Sequence, residues 1–370
     1  MKAITTSLSA LSLAGLVAGA CGEPSPPGFS TGPGITTASA STSTSSTTSG
    51  GGTSSTGPAD DSAGADSAAG SSTGLLRDVG ATADFGSAQP PGCKGKVDLL
   101  FLISRWVSME TEQTQLLASF PGFVDTIQEK LADFDVHIMA ANPDGYWPGW
   151  VCEMECKDPP DTICADTGYK CNDLAWGVTP CDETLGAGLI FNAGAGAANR
   201  HCELYGGNRY IVSGETKMDD ALECIAKVGW SGGNLIGDAV IAAVKPKINA
   251  DGGCNAGFLR DDALLVLVLI ADSGDASKSY PYEQYNAVVA AKGGDPNAVV
   301  VLNVTFRKDN GEPHEPGCTY QDKDNIYELS KFGMMFPFYL EGDMCAPSYA
   351  PFFDAAADLV GAACGSFIPG

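Results

Sequence analysis

The turn from Ser104 to Ser108 carries the side chains best placed to do chemistry. It reads Ser-Arg-Trp-Val-Ser and directly follows Val97 to Ile103, an apolar run of buried-strand length. Loops at the carboxyl ends of strands are where ligands bind in open α/β sheets. The turn offers two hydroxyls, a guanidinium and an indole, which can hydrogen-bond and stack. It is therefore the first place to expect a binding site.

Residues with catalytic chemistry are few. The chain has three histidines, at positions 137, 201 and 314, and no His-Glu-x-x-His metal motif. His137 lies in an apolar run, where a single histidine is expected to be a hydrogen-bonded core residue. A Ser/His/Asp triad could still assemble in space. We expect a non-enzyme, with a hydrolase or other enzyme as the alternative.

Cysteine usage indicates an exported protein. Cys21 follows Ala18-Gly19-Ala20 at the end of an apolar segment too short to span a bilayer. This pattern predicts a signal peptide over residues 1–20 and a lipidated Cys21, as in bacterial lipoproteins. The alternative is cleavage near Ala20, which leaves Cys21 to pair elsewhere. Lipidation leaves 12 of the 13 cysteines, an even number that can be oxidised outside the cytosol. They are Cys93, Cys152, Cys156, Cys164, Cys171, Cys181, Cys202, Cys224, Cys254, Cys318, Cys345 and Cys364.

Residues 21–92 form a linker. After Cys21 they are mostly Ser, Thr, Gly, Ala and Pro, which cannot bury enough apolar surface to fold. The protein is expected to be lipid-anchored in the bacterial cell envelope, at the outer membrane or cell surface, and to touch the membrane only through the anchor. A net charge of −24 disfavours binding to nucleic acid or anionic lipid. A monomer is expected.

From Cys93 onward, apolar runs alternate with amphipathic segments. Strands are expected at 97–103, 134–141, 209–212, 263–271, 298–306 and 334–340, and helices at 110–131, 218–228, 282–291, 324–332 and 348–363. Continuous apolar strands joined by helices are typical of a parallel sheet covered on both faces. Residues 93–370 are therefore predicted to form one three-layer, doubly wound α/β domain with a mainly parallel, Rossmann-like central sheet.

Residues 142–207 interrupt this alternation. They hold six cysteines among many Gly, Pro and Asp residues and show little apolar periodicity, which indicates a disulfide-rich insertion. Because these six lie close together in sequence, they are expected to pair among themselves. Weaker predictions for the other cysteines are Cys224 with Cys254, Cys318 with Cys345, and Cys93 with Cys364.

Several segments resemble the von Willebrand factor A (vWA) domain, whose first strand ends in Asp-x-Ser-x-Ser and holds a divalent metal. The strand and turn at 97–109 are similar to that start. Gly229 to Val240 looks like the family's second metal loop, and Asp272 matches its third metal-site acid. The resemblance implies the vWA fold and an adhesion module.

The likeness covers roughly residues 96–365 outside the insertion. More narrowly, the chain is similar to lipid-anchored, Cys-rich vWA-type proteins of predatory, gliding (myxobacterial) bacteria. Arg260 to Leu264, before the most apolar run, is part of that similarity. So is the ending from Phe352 to Cys364.

Most metal ligands implied by the resemblance are missing. Ser104 stands where the family has Asp, Trp106 where it has the first Ser, and Asn234 where it has Thr. Ser108 and Asp272 match. These five positions are therefore expected to form a degenerate site without metal or other cofactor, with a residual Mg²⁺- or Ca²⁺-dependent adhesion site as the alternative.

Without a metal, Asp272 needs another cation, because its strand is too apolar to tolerate an unpaired carboxylate cheaply. Arg105 is permanently charged, and its planar fork matches a carboxylate. We predict an Arg105–Asp272 pair, direct or through water. The alternative has Arg105 in solvent and Asp272 capping the next turn. The stretch Asp272 to Asp275 is expected to be a solvated loop.

All five tryptophans lie in loops at strand ends or in the insertion. Tryptophan is enriched at binding hot spots, so Arg105, Trp106, Trp147, Trp150 and Trp230 are candidates for a binding face. The partner is expected to be a protein or a glycan. In the alternative interpretation, the tryptophans pack the insertion onto the domain.

Overall fold

The computed structural model describes residues 93–147, 177–306 and 326–367. The strands are β1 (Lys96–Ile103), β2 (Asp135–Ala140), β3 (Phe191–Asn192), β4 (Arg200–His201), β5 (Ile211–Val212), β6 (Leu264–Ala271), β7 (Val299–Thr305) and β8 (Phe338–Asp343). The helices are α1 (Glu110–Lys130), α2 (Met218–Ala226), α3 (Ile236–Ala243), α4 (Pro246–Asn249), α5 (Pro281–Ala291), α6 (Ile326–Gly333) and α7 (Ala350–Ser366). Within these ranges, no helix is long and apolar enough to cross a membrane.

One sheet organises the domain, in the strand order β5-β2-β1-β6-β7-β8. Neighbouring strands are parallel except β5, which pairs antiparallel with β2 at the edge. Counted along the chain, this is the order 3-2-1-4-5-6 of doubly wound sheets. The predicted α/β fold class with a mainly parallel central sheet is confirmed.

Helices cover both faces of the sheet. Along β1, Leu99, Phe101 and Ile103 pack into the apolar layer shared with α1, α2 and α7. Leu100 and Leu102 point the other way, into the layer shared with α3, α5 and α6. All eight residues of β6 are buried, because the central strand of a three-layer fold has no solvent-facing side.

The short elements β3, β4 and α4 had no predicted counterpart, and two longer elements also differ from the sequence prediction. The last strand begins at Phe338 and not at Met334, because Met334 and Met335 form an exposed turn after α6. Helix α3 had no predicted counterpart. Its small residues, such as Gly237 and Ala239, produce only a weak helical periodicity of apolar side chains in the sequence. Both residues are nevertheless buried against the sheet.

The disulfides differ from the expected pattern. Cys93–Cys364 is confirmed, but Cys181 pairs with Cys254 and Cys202 pairs with Cys224. The predictions of pairing within the insertion for Cys181 and Cys202, and of a Cys224–Cys254 bond, were therefore wrong. Cys345 is disulfide-bonded; its predicted partner Cys318 lies outside the described residues, as do Cys152, Cys156, Cys164 and Cys171.

The prediction for Cys181 and Cys202 failed because the second half of the insertion packs into the domain. Ala187, Leu189, Phe191 and Ala193 are buried at alternate positions. The Leu189 amide donates to the Ala140 carbonyl at 2.7 Å, so the segment extends the sheet beyond the end of β2. Cysteines in this half therefore lie beside α2 and the segment before β6, and they pair there.

An ion network closes the amino edge of the sheet. The two oxygens of Asp98, which is fully buried, accept bonds from the Arg260 backbone amide and Nε, both at 2.8 Å. Arg260 also pairs with Asp135 at 2.6 Å. His137 lies beside this network and bonds to the Phe258 carbonyl at 3.0 Å, which confirms it as a satisfied core residue. Burial, partly offset by Arg260, raises the pKa of Asp98 to about 6.

This pKa predicts an unusual pH dependence. A carboxyl group whose pKa is raised by folding stabilises the protein below its ordinary pKa, and that stability is lost as the pH rises through the folded pKa. Relative to Asp98→Asn, the wild type should therefore lose about 3 kcal/mol of unfolding free energy between roughly pH 3.5 and pH 7. Urea unfolding of both proteins across this range measures the difference. Asp262→Asn is the control, because Lys96 lowers the pKa of Asp262 and the slope should be reversed. A pH-independent difference for Asp98→Asn would contradict the assignment.

Candidate functional site

The switch point of the sheet lies between β1 and β6, at the loops that follow these two strands. In doubly wound sheets, ligands bind where adjacent strands have their connections on opposite faces. Main-chain bonds join three loops here: Ser104 N to Ile270 O at 2.8 Å, Arg105 N to Gly233 O at 3.2 Å, and Gly232 N to Arg105 O at 2.8 Å. The three segments chosen from the sequence, at 104–108, 229–240 and 272–275, therefore meet at one edge.

Ser104 shapes the turn after β1. It is fully buried, and its Oγ accepts a bond from the Trp106 amide at 3.2 Å. Its carbonyl accepts from Gln113 Nε2, which also donates to the Gly229 carbonyl at 2.6 Å. The serine at the family's Asp position thus helps to hold the turn against α1 and the Gly229 loop.

Arg105 points into the protein and is 1 % exposed. Its Nε donates to the Val228 carbonyl at 3.1 Å, and its Nη1 and Nη2 donate to the Tyr146 and Ala193 carbonyls, both at 3.2 Å. Its ion-pair partner is the buried Asp144, at 3.4 Å. The predicted pairing with Asp272 is therefore corrected, and so is the alternative of a solvent-facing Arg105. The guanidinium joins the start of the insertion to the turn after β1.

Asp144 was missed by the sequence interpretation. It lies in an Asx turn, in which Asn142 Oδ1 accepts from the amides of Asp144 and Gly145. Its Oδ2 accepts from the Gly233 amide at 2.7 Å. A Cβ at Gly232 would collide with that carboxylate, so the glycine allows the two loops to approach. The only local signal was the Asn-Pro-Asp-Gly sequence, which is typical of a turn.

Four side-chain oxygens in the crevice are buried and have no hydrogen-bond partner among the described residues. They are Ser108 Oγ, Glu112 Oε2, Asn234 Oδ1 and Asp272 Oδ1. Ser108, Asn234 and Asp272 are positions that the family resemblance selected, and the structure brings them together. Glu112, in the first turn of α1, was not selected, because the family pattern ends before it. We call these four residues the oxygen cluster.

Burial governs the charge state of the cluster. It raises the pKa of Asp272, and the hydroxyls of Ser108 and Ser273 oppose that shift. It also raises the pKa of Glu112, and the negative charge of Asp272 adds to the rise. Neither carboxylate has an ion-pair partner in the described ranges. The loop from Asp272 is buried and not solvated as predicted, since Asp272, Ser273 and Asp275 are each less than 10 % exposed.

The oxygen cluster contains the types of ligand atom that a hard divalent cation prefers. Mg²⁺ and Ca²⁺ take oxygen ligands, with one or two carboxylates among them, and Glu112 and Asp272 together supply two. Within the described residues, no group of three or more His, Cys, Asp or Glu could hold a metal. A cation here would therefore rely on the neutral oxygens of Ser108 and Asn234 as well.

The tryptophans divide into packed and exposed residues. Trp147 is buried with its ring 5.0 Å from that of Phe191, and Trp230 packs against the apolar layer near α1. Trp147 therefore packs within the insertion, whereas Trp230 joins the insertion to the domain through its amide, which donates to the Ala195 carbonyl at 2.9 Å. Trp106 is 39 % exposed at the crevice. Trp150 and Trp176 lie outside the described residues.

Exposed tyrosines that the sequence did not single out accompany Trp106. Tyr146 follows β2 and is 46 % exposed, whereas Tyr280 and Tyr282 follow β6 and stack on each other with ring centroids 6.0 Å apart. Because β1, β2 and β6 are adjacent and parallel, their following loops lie at the same edge of the sheet. We call Trp106, Tyr146, Tyr280 and Tyr282 the aromatic rim.

Hydrogen bonds from two aspartates fix the loop that carries the tyrosine pair. Asp275 Oδ2 accepts from the Gly237 amide at 3.1 Å, and Asp238 accepts from the amides of Lys278 and Ser279, both at 3.0 Å. These bonds tie the loop to the first turn of α3. The rim is thus built on an ordered base, which reduces the entropy lost when a partner binds.

The segment Gly229-Trp230-Ser231-Gly232-Gly233 has the Gly-x-Ser-x-Gly spacing of a hydrolase elbow, which the sequence interpretation overlooked. That elbow requires a strand before the serine and a helix after it. Here the segment follows helix α2. Ser231 Oγ is buried and has no hydrogen-bond partner in the described ranges. The Gly-x-Ser-x-Gly spacing therefore occurs here without the strand–turn–helix structure that exposes and activates the serine of a hydrolase.

Comparisons with known proteins give no close relative. No protein-family model matches the chain, and no curated protein matches it. Among solved structures, 41 chains match. One is proximal thread matrix protein 1 from the mussel byssus, with TM-score 0.35 and 9% identity, covering 75% of this chain and 48% of that chain. A second crystal form has TM-score 0.33, 10% identity and coverages of 75% and 49%. The structure with a zinc-occupied MIDAS motif has TM-score 0.33, 10% identity and coverages of 75% and 50%. The chain thus spans about half the length of these proteins, and its fold class rests on its own strand order.

Proposed function

We propose that the protein is a non-catalytic binding module, exported and lipid-anchored through Cys21, that recognises a protein or glycan with its aromatic rim. The observation that carries the proposal is the exposure of Trp106, Tyr146, Tyr280 and Tyr282 at the sheet edge where ligands bind in this architecture. Aromatic residues combine a large apolar surface with polar atoms, and they dominate binding hot spots.

The inward orientation of the Arg105 side chain supports a partner that is recognised through stacking and hydrogen bonds with the aromatic rim. Arg105 is turned inward to Asp144, so its guanidinium is not presented to a partner. The exposed apolar surface of the turn is extended by Val107, which is 53 % exposed beside Trp106. A partner can contact these side chains without a bound metal ion.

The alternative hydrolase function draws on Ser231 alone. Its hydroxyl is enclosed between loops, and the adjacent backbone is committed, since Gly232 N donates to the Arg105 carbonyl. His137 bonds to Phe258 at the opposite edge of the sheet. The arrangement of the described residues therefore favours the binding module.

Truncation of the rim tests the proposal. In the full-length mature chain made soluble by Cys21→Ser, Trp106→Ala should weaken binding to the partner about 30-fold, or about 2 kcal/mol. The Tyr280→Ala/Tyr282→Ala double variant should have a similar effect, because it removes a stacked pair. Binding is measured on a glycan array and on envelope proteins of the producing cells, followed by titration with the partner identified.

Met334→Ala is the matched control. Met334 is 62 % exposed, and its loop precedes β8 at the opposite edge, so the substitution should leave affinity unchanged. If the rim variants bind as tightly as the wild type while Met334→Ala does not, the binding face lies elsewhere. Hydrolysis of the bound partner that is lost in Ser231→Ala would overturn the non-catalytic assignment.

A further inference from the structure

A cavity of about 510 Å³ lies between the insertion and helix α2. One wall is the insertion segment from Arg200 to Glu203, and the other runs from Glu215, after β5, to Cys224 in α2. The Cys202–Cys224 disulfide lines the cavity and joins the two walls. Ligand sites for small molecules have volumes of roughly 300–1,000 Å³, so this cavity has the size of a binding site.

The cavity is separate from the aromatic rim. Strand β5 runs antiparallel to β2, with Ile211 opposite Ile138 and Val212 opposite His137. The chain therefore leaves β5 toward the amino edge of the sheet, whereas the rim follows the carboxyl ends of β1, β2 and β6. The cavity is thus a second site that the proposed function does not use.

Contacts within the protein hold both walls in place without a ligand. The Tyr205 amide, on the insertion, donates to Glu215 Oε2 at 2.9 Å, so a hydrogen bond joins the walls in addition to the disulfide. The His201 ring stacks on the buried Phe191 ring, with ring centroids 3.8 Å apart. A preformed cavity loses less conformational entropy when a ligand binds.

Both walls present both signs of charge. The insertion supplies Arg200 and Glu203, and the opposite wall supplies Glu215, Lys217 and Asp220. Among the ion pairs of the described residues, none includes any of these five. Glu215 accepts from two backbone amides, and the other four side chains form no hydrogen bond within the described ranges. Their charged atoms are therefore available to a ligand.

This mixture of charges selects a ligand that itself carries both signs. A simple anion is attracted by Arg200 and Lys217 but repelled by three carboxylates, and a simple cation meets the opposite conflict. A metal ion is not favoured either, since no group of three or more His, Cys, Asp or Glu among the described residues could hold one. A zwitterion satisfies both sets of charges, because its carboxylate accepts from the cations and its ammonium donates to the acids.

We infer that the cavity binds a short peptide with free termini, whose carboxylate contacts Arg200 and Lys217 and whose ammonium contacts Glu203 and Asp220. An extended tripeptide spans about 10 Å and is comparable to the drug-sized ligands that cavities of this volume enclose. The disulfide and Ala221 add apolar surface to the lining, which favours small aliphatic side chains.

Calorimetry with trialanine tests the site. The full-length mature chain with Cys21→Ser is titrated with the free tripeptide and, separately, with its N-acetyl form, its C-amide form and the form blocked at both ends. We expect one free tripeptide per chain with a Kd of about 0.1 mM. Each singly blocked form should bind about tenfold more weakly, because it loses one set of charge-assisted hydrogen bonds.

Two variants with matched controls assign the charges. Lys217→Gln should weaken the free tripeptide about tenfold and leave the C-amide form unaffected, because that form has no carboxylate to lose. Lys227→Gln is its control, since Lys227 follows the other end of α2 and does not line the cavity. Asp220→Asn should likewise weaken the free tripeptide but not the N-acetyl form. Its control is Glu223→Gln, because Glu223 is exposed on α2 outside the cavity.

The inference is overturned by any of four results. The first is no heat with trialanine up to about 10 mM, which is 100 times the expected Kd. The second is equal affinity for the form blocked at both ends, which would indicate an uncharged ligand such as a neutral glycan. The third is an equal loss of affinity in either control variant, which would indicate general surface charge. The fourth is a loss of tripeptide affinity in Trp106→Ala, which would place the peptide at the aromatic rim. Unchanged tripeptide binding by Trp106→Ala supports a separate site, whether or not the rim binds the partner proposed above.

Discussion

Replacement of Arg105 by methionine should lower the free energy of unfolding by about 3–5 kcal/mol. Methionine keeps most of the apolar stem but removes the charge, which leaves the Asp144 carboxylate buried without its cation. The Val228, Tyr146 and Ala193 carbonyls lose the guanidinium donors at the same time. Urea or guanidinium unfolding of the oxidised protein measures the loss.

Arg105→Lys should recover little of this stability. Lysine keeps the charge, but a single ammonium cannot reach acceptors on three sides as the planar fork does. Lys130→Met is the matched control, because Lys130 forms ion pairs with the exposed Asp354 and Asp358. Exposed pairs contribute little, so this variant should change stability by about 1 kcal/mol or less. Equal effects of Arg105→Met and Lys130→Met would show that the Arg105 network is not a stabilising element.

Removal of the Cys93–Cys364 disulfide should cost about 5.5 kcal/mol in the chain-entropy model. The two cysteines are 271 residues apart, so the bond closes almost the whole domain in the unfolded state. In the folded protein it joins the entry to β1 with the last turns of α7, where the Cys93 amide also donates to the Cys364 carbonyl at 3.2 Å. The Cys93→Ala/Cys364→Ala variant is compared with the wild type by denaturant unfolding.

The Cys202–Cys224 bond provides an internal standard. Its sequence separation is 22, so the same model gives a smaller loss of about 3 kcal/mol when both cysteines become alanine. The difference between the two double variants tests the loop-length argument without reference to either absolute value. A larger loss for Cys202–Cys224 would mean that local packing around α2, and not chain entropy, sets the contribution of these bonds.

Local patterns were sufficient for most of the sheet. The apolar run of β6 and the alternation of strands with helices identified the fold class, because a strand buried on both faces must be apolar at every position. Patterns failed where local preference and packing disagree. Met334 and Met335 are apolar enough to suggest a strand, yet they lie in an exposed turn. Helix α3 has small residues with a weak period, yet it covers one face of the sheet.

The residues of the candidate site also divide into those that the sequence identified and one that it missed. Sequence placed Ser108 and Asp272 after the ends of two apolar strands, where parallel strands bring their loops to one edge, and the family resemblance selected Asn234 in the loop before α3. The structure joins that loop to the end of β6, since Asn234 Nδ2 donates to Ser273 Oγ at 3.2 Å. The sequence did not identify Glu112, because the family motif has no acid there and an acid in the first turn of a helix is ordinary. The burial of Glu112, which is 8 % exposed, depends on the tertiary packing around the first turn of α1.

The sequence by itself determined most of the secondary structure, the fold class and the edge at which the site lies, since periodicity depends on residues close together in the chain and parallel strands end at one edge. Only the tertiary structure decided which charges meet. Arg105 could have reached Asp272, but the Asx turn at Asn142 places Asp144 beside it, and the carbonyls of residues 193 and 228 complete its shell. Cys181 and Cys202 could have paired within the insertion, but the packing of Leu189 and Phe191 carries them to other elements. Such choices depend on distances between segments far apart in sequence, and no local pattern contains those distances.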